Sequence, residues 1–125
     1  MQIYTSPQPV DKARAFAALP PEWPHDPLPQ IRDMLRQTRQ KVVILDDDPT
    51  GTQTAHDVPV LTHWSSEVLL HEFQNELPAF FILTNTRSMD EDAARELNLQ
   101  IGHNLQQASQ QTGRPFTVIS RSDST

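Results

Sequence analysis

The chain has 125 residues, a formal net charge of −6 and no cysteine. The length is that of one domain able to bury a core, and the missing cysteine excludes a disulfide scaffold and a thiolate metal site. The acidic balance disfavours nucleic acid as a partner, and no apolar run reaches the roughly 18 residues of a membrane span, so we expect a cytoplasmic protein that does not bind a membrane.

Residues 1–40 form a proline-rich arm. Seven of the eleven prolines lie in the first 29 residues, a density that forbids long regular elements. Short helices are predicted over residues 10–19 and 27–40, the second with Asp26 as its N-cap and proline at its first helical position. We expect this arm to pack on the following domain or, alternatively, to serve a contact in a homo-oligomer.

Residues 41–125 alternate between strands and helices. Apolar runs predict strands over residues 42–45, 58–62, 79–84 and 116–119. One helix is predicted from Ser65 or Ser66 to about residue 76. A longer one is predicted to open with a capping box of Ser88 and Glu91, and to end at Gly113. This order predicts an α/β fold, an open and mostly parallel sheet with helical crossovers in a three-layer α/β/α arrangement.

The first crossover is short for that arrangement. About a dozen residues separate the first strand from the second, which is near the minimum for a parallel connection. Either a short helix lies between Thr52 and Asp57, or the second strand pairs differently.

Three consecutive carboxylates end the first strand. Asp46, Asp47 and Asp48 are followed at once by a Pro-Thr-Gly turn. Adjacent like charges repel, so stability alone does not account for them. Because ligands of open α/β sheets bind at the carboxyl ends of the strands, this cluster indicates a site.

Two further polar segments follow strands, residues 84–88 and 120–125. In a parallel sheet they converge with the aspartates and contribute two arginines, Arg87 and Arg121. Arginine binds a carboxylate as a bidentate fork, and aspartates accept hydrogen bonds from hydroxyl groups. The combination predicts a pocket for a polyhydroxylated anion. The alternative is structural, since Asp and Ser after a strand often close turns or cap the next helix, and Ser88 is expected to be such a cap.

Other site types find little support in the sequence. The five histidines show no spacing typical of metal ligands, and we expect no metal site built from this chain. With three glycines the chain contains neither GxxxxGK[ST] nor GxGxxG, so no known glycine-rich loop cradles a nucleotide.

The motifs together resemble the four-carbon acid sugar kinase family. Residues 47–51, Asp-Asp-Pro-Thr-Gly, resemble its DDxTG motif. Residues 84–87 are similar to its Thr/Ser-rich turn ending in arginine, and residues 121–125 to its basic-x-Asp-Ser-Thr segment. Each motif follows a predicted strand, in the family's order, and the resemblance covers about residues 41–125.

The resemblance implies the sugar-acid-binding domain of an ATP-dependent kinase acting on acids such as threonate or erythronate. ATP, with Mg²⁺, would be bound mainly by a nucleotide-binding domain that this chain lacks. We therefore expect the chain to be the N-terminal piece of a longer protein, and inactive alone. The partners in the full-length protein are a small sugar acid and ATP.

The resemblance also implies roles for site residues. Asp47 or Asp48 is the candidate to take the proton of the acceptor hydroxyl. The remaining candidates are expected to bind substrate, the arginines through its carboxylate and Asp123 and Ser124 through its hydroxyl groups: Thr50, Gly51, Arg87, Arg121, Asp123 and Ser124.

Two alternatives use the same residues. Asp46-x-Asp48-x-Thr50 after an apolar strand resembles the first motif of haloacid dehalogenase-like phosphatases, in which the first aspartate is the nucleophile. A third interpretation is a non-catalytic domain that binds a small acid.

Overall fold

The computed structural model describes residues 9–52 and 55–122. Two helices precede the sheet, α1 (Lys12–Ala17) and α2 (Leu28–Thr38). The Asp11 carboxylate caps α1, and the Asp26 carboxylate accepts a hydrogen bond from the Leu28 amide at 2.9 Å. The predicted N-cap of α2 is therefore wrong by one residue, since Pro27 holds the N-cap position and Leu28 is the first helical residue. No residue of α1 or α2 is buried.

Four parallel strands form one sheet in the order β2-β3-β1-β4. Their bounds are β1, Lys41–Asp46; β2, Val60–Leu61; β3, Ala79–Leu83; and β4, Phe116–Arg121. The crossover helices are α3 (Ser66–Gln74) and α4 (Glu91–Thr112). The predicted α/β fold with an open parallel sheet and helical crossovers is confirmed.

The order of the strands explains why the connection between β1 and β2 can be short. A 3₁₀ helix, Pro49–Thr52, follows β1, and β2 pairs with β3 at the edge of the sheet. The second of the two alternatives therefore holds. β2 has two residues, fewer than the five predicted.

The start of α4 corrects one prediction. Ser88 belongs to a short 3₁₀ helix, Thr86–Ser88, and the N-cap of α4 is Asp90, whose carboxylate accepts a hydrogen bond from the Ala93 amide at 2.8 Å. An aspartate is as good a cap as serine and places negative charge at the positive end of the helix. The helix ends as predicted at Gly113, which has a φ of 66°.

The core lies between the sheet and the two crossover helices. Its strand residues are Val43, Phe80 and Ile82, all fully buried. The helices contribute Leu69, Phe73, Ile101, Leu105 and Ala108. Both crossovers run in the same direction across the sheet, and crossovers of one hand then place their helices on the same face.

The opposite face of the sheet is less covered. Ile119 is 50% exposed and Val60 is 43% exposed, although both belong to strands. Within the described part of the chain, therefore, one helical layer is formed, and the second layer of the expected three-layer arrangement is not. The longest helix, α4, has 22 residues and is amphipathic, and no described helix has the length and apolarity to span a membrane.

A buried polar cluster closes the amino-terminal edge of the sheet. The Lys41 ammonium is fully buried and donates to the Asn75 side chain at 2.7 Å and to the Leu77 carbonyl at 2.5 Å. The Glu72 carboxylate lies 3.7 Å away. Burial lowers the pKa of Lys41, and Glu72 acts in the opposite direction by favouring the charged ammonium.

Candidate functional site

Three strand ends meet at the carboxyl-terminal edge of the sheet. Asp46 is the last residue of β1, and in register it neighbours Leu83 of β3 and Arg121 of β4. The segments that follow these strands enclose a cavity of about 180 Å³. It is lined by Asp46, Asp47, Asp48, Thr50, Gly51, Arg87, Arg121 and Ser122. We call this the carboxyl-edge cavity.

Asp46 is the buried anchor of the cavity. Asp46 is only 1% exposed, and one of its carboxylate oxygens accepts a hydrogen bond from the Asp48 amide at 3.3 Å. The other oxygen lies 3.5 Å from the Arg121 guanidinium. Its carbonyl accepts both the amide and the hydroxyl of Thr84, at 2.8 and 3.0 Å. These contacts fix the end of β1 to both neighbouring segments.

Asp48 is held in a single orientation by its neighbours. One oxygen accepts from the Thr50 hydroxyl at 2.6 Å and from the Thr50 amide at 2.8 Å. The other accepts from the Arg87 guanidinium at 2.9 Å. The Thr50 hydroxyl, then its amide, and then the Arg87 charge hold the pKa of Asp48 below its ordinary value. A carboxylate stabilised in this way is a weaker base than an ordinary one.

Asp47 lies between Arg87 and a second cavity. Its carboxylate lies 3.7 Å from the Arg87 guanidinium, and its side chain is 16% exposed. It also lines an adjoining cavity of about 290 Å³. The other residues of that cavity are mainly polar: Leu45, Thr84, Thr86, Asn98, Ser120 and Ser122. Asp47 therefore lies where the two cavities adjoin, surrounded by hydroxyl and amide groups.

The two arginines form ion pairs with the aspartates and are also accessible to a ligand. Arg87 contacts Asp47 and Asp48, and Arg121 contacts Asp46. Their side chains are nevertheless 46% and 51% exposed. Each guanidinium has several donors in a fixed plane, so it can contact a carboxylate of the protein on one side and a ligand anion on another.

Position 51 has no room for a side chain, because its backbone lies against Asp46 and Arg121. A Cβ atom at this position would overlap the Asp46 carboxylate and the Arg121 guanidinium. The Gly51 amide donates to the Asp48 carbonyl at 3.0 Å, which closes the turn after the aspartates. The Pro-Thr-Gly turn thus packs directly on the Asp46–Arg121 ion pair.

The structure brings most of the predicted site residues to one place. Six of the eight line the carboxyl-edge cavity: Asp47, Asp48, Thr50, Gly51, Arg87 and Arg121. Asp123 and Ser124 lie outside the described residues. Ser122 was missed because it occupies the unspecified position of the basic-x-Asp-Ser-Thr segment, and Asn98 was missed because it belongs to none of the motifs. The anchoring role of Asp46 was also missed. That role follows from the strand register, in which Asp46 at the end of β1 lies beside Arg121 at the end of β4.

The buried position of Asp46 bears on the phosphatase alternative. A nucleophile must be reached by the phosphate ester, but the Asp46 side chain is 2% exposed and paired with Arg121. The geometry therefore favours the interpretation based on Asp47 and Asp48. Among the described residues, no group of three or more His, Asp or Glu is arranged to hold a metal ion.

Comparison with known protein families agrees with a ligand site of this kind. The model of a family described as the sugar-binding N-terminal domain matches residues 42–125. The match begins in β1 and includes all three polar segments of the carboxyl edge. No curated protein and no solved structure matches the chain.

Proposed function

Because this chain belongs to the family of sugar-binding N-terminal domains, we propose that it binds the substrate of an ATP-dependent kinase that phosphorylates a four-carbon sugar acid such as threonate or erythronate. The observation that carries the proposal is the alternation of carboxylates and guanidinium groups around the carboxyl-edge cavity. A sugar acid carries one carboxylate and several hydroxyl groups, and this cavity offers partners for both.

Charge sets where the substrate carboxylate binds. Three aspartates face two arginines in the cavity, so a further anion is repelled from the aspartate side. The exposed sides of Arg87 and Arg121 are then the positions at which a ligand carboxylate is attracted. The hydroxyl groups of the ligand point toward the aspartates, which accept hydrogen bonds.

Of the two candidate bases, Asp47 is the better one. Asp48 already accepts three hydrogen bonds, and its pKa is lowered, so it holds a proton poorly and serves to position Arg87. Asp47 lies at the junction of the two cavities, where a hydroxyl group of a ligand in either cavity can reach it. We assign Asp47 to accept the proton of the acceptor hydroxyl.

The described residues do not fit ATP at this edge of the sheet. The sequence has no glycine-rich phosphate loop, and the carboxyl-edge cavity carries more carboxylates than guanidinium groups. In this proposal ATP and Mg²⁺ are therefore held by residues outside the described part of the chain. What the described residues supply is binding, orientation and a proton acceptor for the sugar acid.

Kinetics of the full-length protein with two single variants test these assignments. Asp47→Asn is expected to lower kcat by about 10²- to 10⁴-fold with little change in KM, because it removes proton transfer. Asp48→Asn is expected to raise KM instead, because Arg87 loses the shorter of its two ion pairs with the aspartates. Glu96→Gln, which removes one exposed negative charge on α4, is the control and should match the wild type. Wild-type turnover in both aspartate variants would refute the proposal.

A further inference from the structure

A second cavity lies at the opposite, amino-terminal edge of the sheet. It has a volume of about 520 Å³ and lies between α2 and the residues that precede β1, β3 and β4. Four of its lining residues are arginines: Arg32, Arg36, Arg39 and Arg114. We call it the arginine cavity. The length of β1 separates it from the carboxyl-edge cavity, about 20 Å at the usual rise of a strand.

The arginine cavity concentrates positive charge in an acidic protein. The chain has ten basic residues and a net charge of −6, yet four guanidinium groups surround this one space. Its lining contains a single carboxylate, that of Glu76. Arg36 also pairs with Asp33 at 2.8 Å, but both side chains are more than half exposed, and such a pair exchanges partners at small cost.

Arg114 gives the cavity a buried charge. The residue is 5% exposed, and its guanidinium donates to the carbonyls of Arg39, Phe73 and Asn75. These bonds use Nε and Nη1, and no carboxylate of the described residues forms an ion pair with it. A buried cation bonded only to neutral carbonyls keeps most of its charge unbalanced, which is costly without an anion nearby.

The remaining lining is suited to the organic part of a ligand. Leu35 and Pro78 provide apolar surface, and Gln40 provides an amide. The volume lies in the range of cavities that hold small molecules. Planar guanidinium groups match the oxygens of a phosphate through paired hydrogen bonds.

We propose that the arginine cavity is a second ligand site, which binds a small phosphorylated organic molecule. Its phosphate contacts the guanidinium groups, and its organic part lies against Leu35 and Pro78. The site is separate from the carboxyl-edge cavity, so the proposal does not depend on the kinase assignment.

Calorimetric titration of the chain with pyrophosphate and with ribose 5-phosphate tests this site, with ribose as the unphosphorylated control. Pyrophosphate and ribose 5-phosphate are expected to bind, and ribose is not. Inorganic phosphate is titrated as a further control, and ribose 5-phosphate is expected to bind more tightly than it does. The double variant Arg32→Gln/Arg36→Gln changes only exposed residues and should weaken both phosphates by at least about tenfold. Arg95→Gln, an exposed arginine on α4, should leave affinity unchanged.

Amide chemical shifts locate the ligand. We expect pyrophosphate to perturb Arg39, Gln40 and Glu76 and to leave Gly51 and Arg87 unaffected. The proposal is overturned if neither phosphate binds, if Arg95→Gln weakens binding as much as the double variant, or if the perturbed amides lie at the carboxyl-edge cavity.

Discussion

Each of the three consecutive aspartates has a different environment, although their side chains are chemically identical. Asp46 is buried against Arg121, Asp48 is fixed by Thr50, and Asp47 faces two polar cavities. Three adjacent carboxylates coexist here because Arg121 stabilises Asp46, and Arg87 stabilises both Asp47 and Asp48. These separate contacts offset the repulsion within an electrostatically unfavourable run of charge at the candidate site.

Titration of Asp48 tests its fixed orientation. Its pKa is lowered in the folded protein, so its ionised form stabilises the fold at pH values above the ordinary Asp pKa of about 3.9. That contribution is lost as the pH falls through the lowered value. Carboxyl chemical shifts should give a midpoint below 3.9, the ordinary value.

Variants separate the causes of that shift. Thr50→Val removes the leading cause, the hydroxyl hydrogen bond, and should raise the Asp48 midpoint clearly. Arg87→Gln should raise it less. A midpoint that does not respond to Thr50→Val would show that the Asp48–Thr50 contact does not exist in solution.

Two of the three glycines, Gly51 and Gly102, differ in what an added methyl group would contact. Gly51→Ala places a carbon on the Asp46–Arg121 pair and should cost about 1–3 kcal/mol of stability. Gly102→Ala, in an open position within α4, should instead stabilise the protein by about 0.5–1 kcal/mol. Urea unfolding of both variants measures the difference. Equal effects would contradict the close packing of the turn.

At the scale of elements, apolar runs and turn residues were sufficient to predict every strand and both crossover helices. The pairing of β2 with β3 could not be predicted, because it depends on tertiary contacts and not on local sequence. The burial of Asp46 could not be predicted for the same reason, since it depends on the pairing of β1 with β4. Ser88 was a wrong cap because Asp90, two residues later, competes for the same role.

The cap of α4 can be tested directly. Asp90→Ala should destabilise the protein by about 0.5–2 kcal/mol, because the Ala93 amide loses its partner and the helix loses a favourable charge at its N-terminus. Ser88→Ala is the matched control and should have a smaller effect. Denaturant unfolding distinguishes them, and a larger loss for Ser88→Ala would restore the original prediction.

At the scale of the whole molecule, the two edges of the sheet carry opposite polar arrangements. Carboxylates dominate the carboxyl-terminal edge, and cations dominate the amino-terminal edge. The buried Lys41–Glu72 pair belongs to the second edge, where Glu72 offsets one of the two buried cations. We expect this pair to contribute to global stability rather than to ligand binding.

Thermal unfolding tests that expectation. Lys41→Met leaves Glu72 buried without its counter-ion and should cost about 3–5 kcal/mol. The double variant Lys41→Met/Glu72→Met removes both charges and should recover much of that loss. If the double variant is as unstable as the single one, the loss of stability in Lys41→Met does not come from breaking the ion pair.

The proposed roles of the aspartates and arginines all depend on the binding of a four-carbon hydroxy acid in the carboxyl-edge cavity. Calorimetric titration with threonate, erythronate, the polyol threitol and the hydroxyl-free acid butanoate tests it most directly. We predict that a sugar acid binds at one site per chain, that threitol and butanoate bind at least about tenfold more weakly, and that Arg87→Gln but not Arg95→Gln weakens the acid by a similar factor. The absence of binding by both acids, or equal affinity for threitol, would contradict the account.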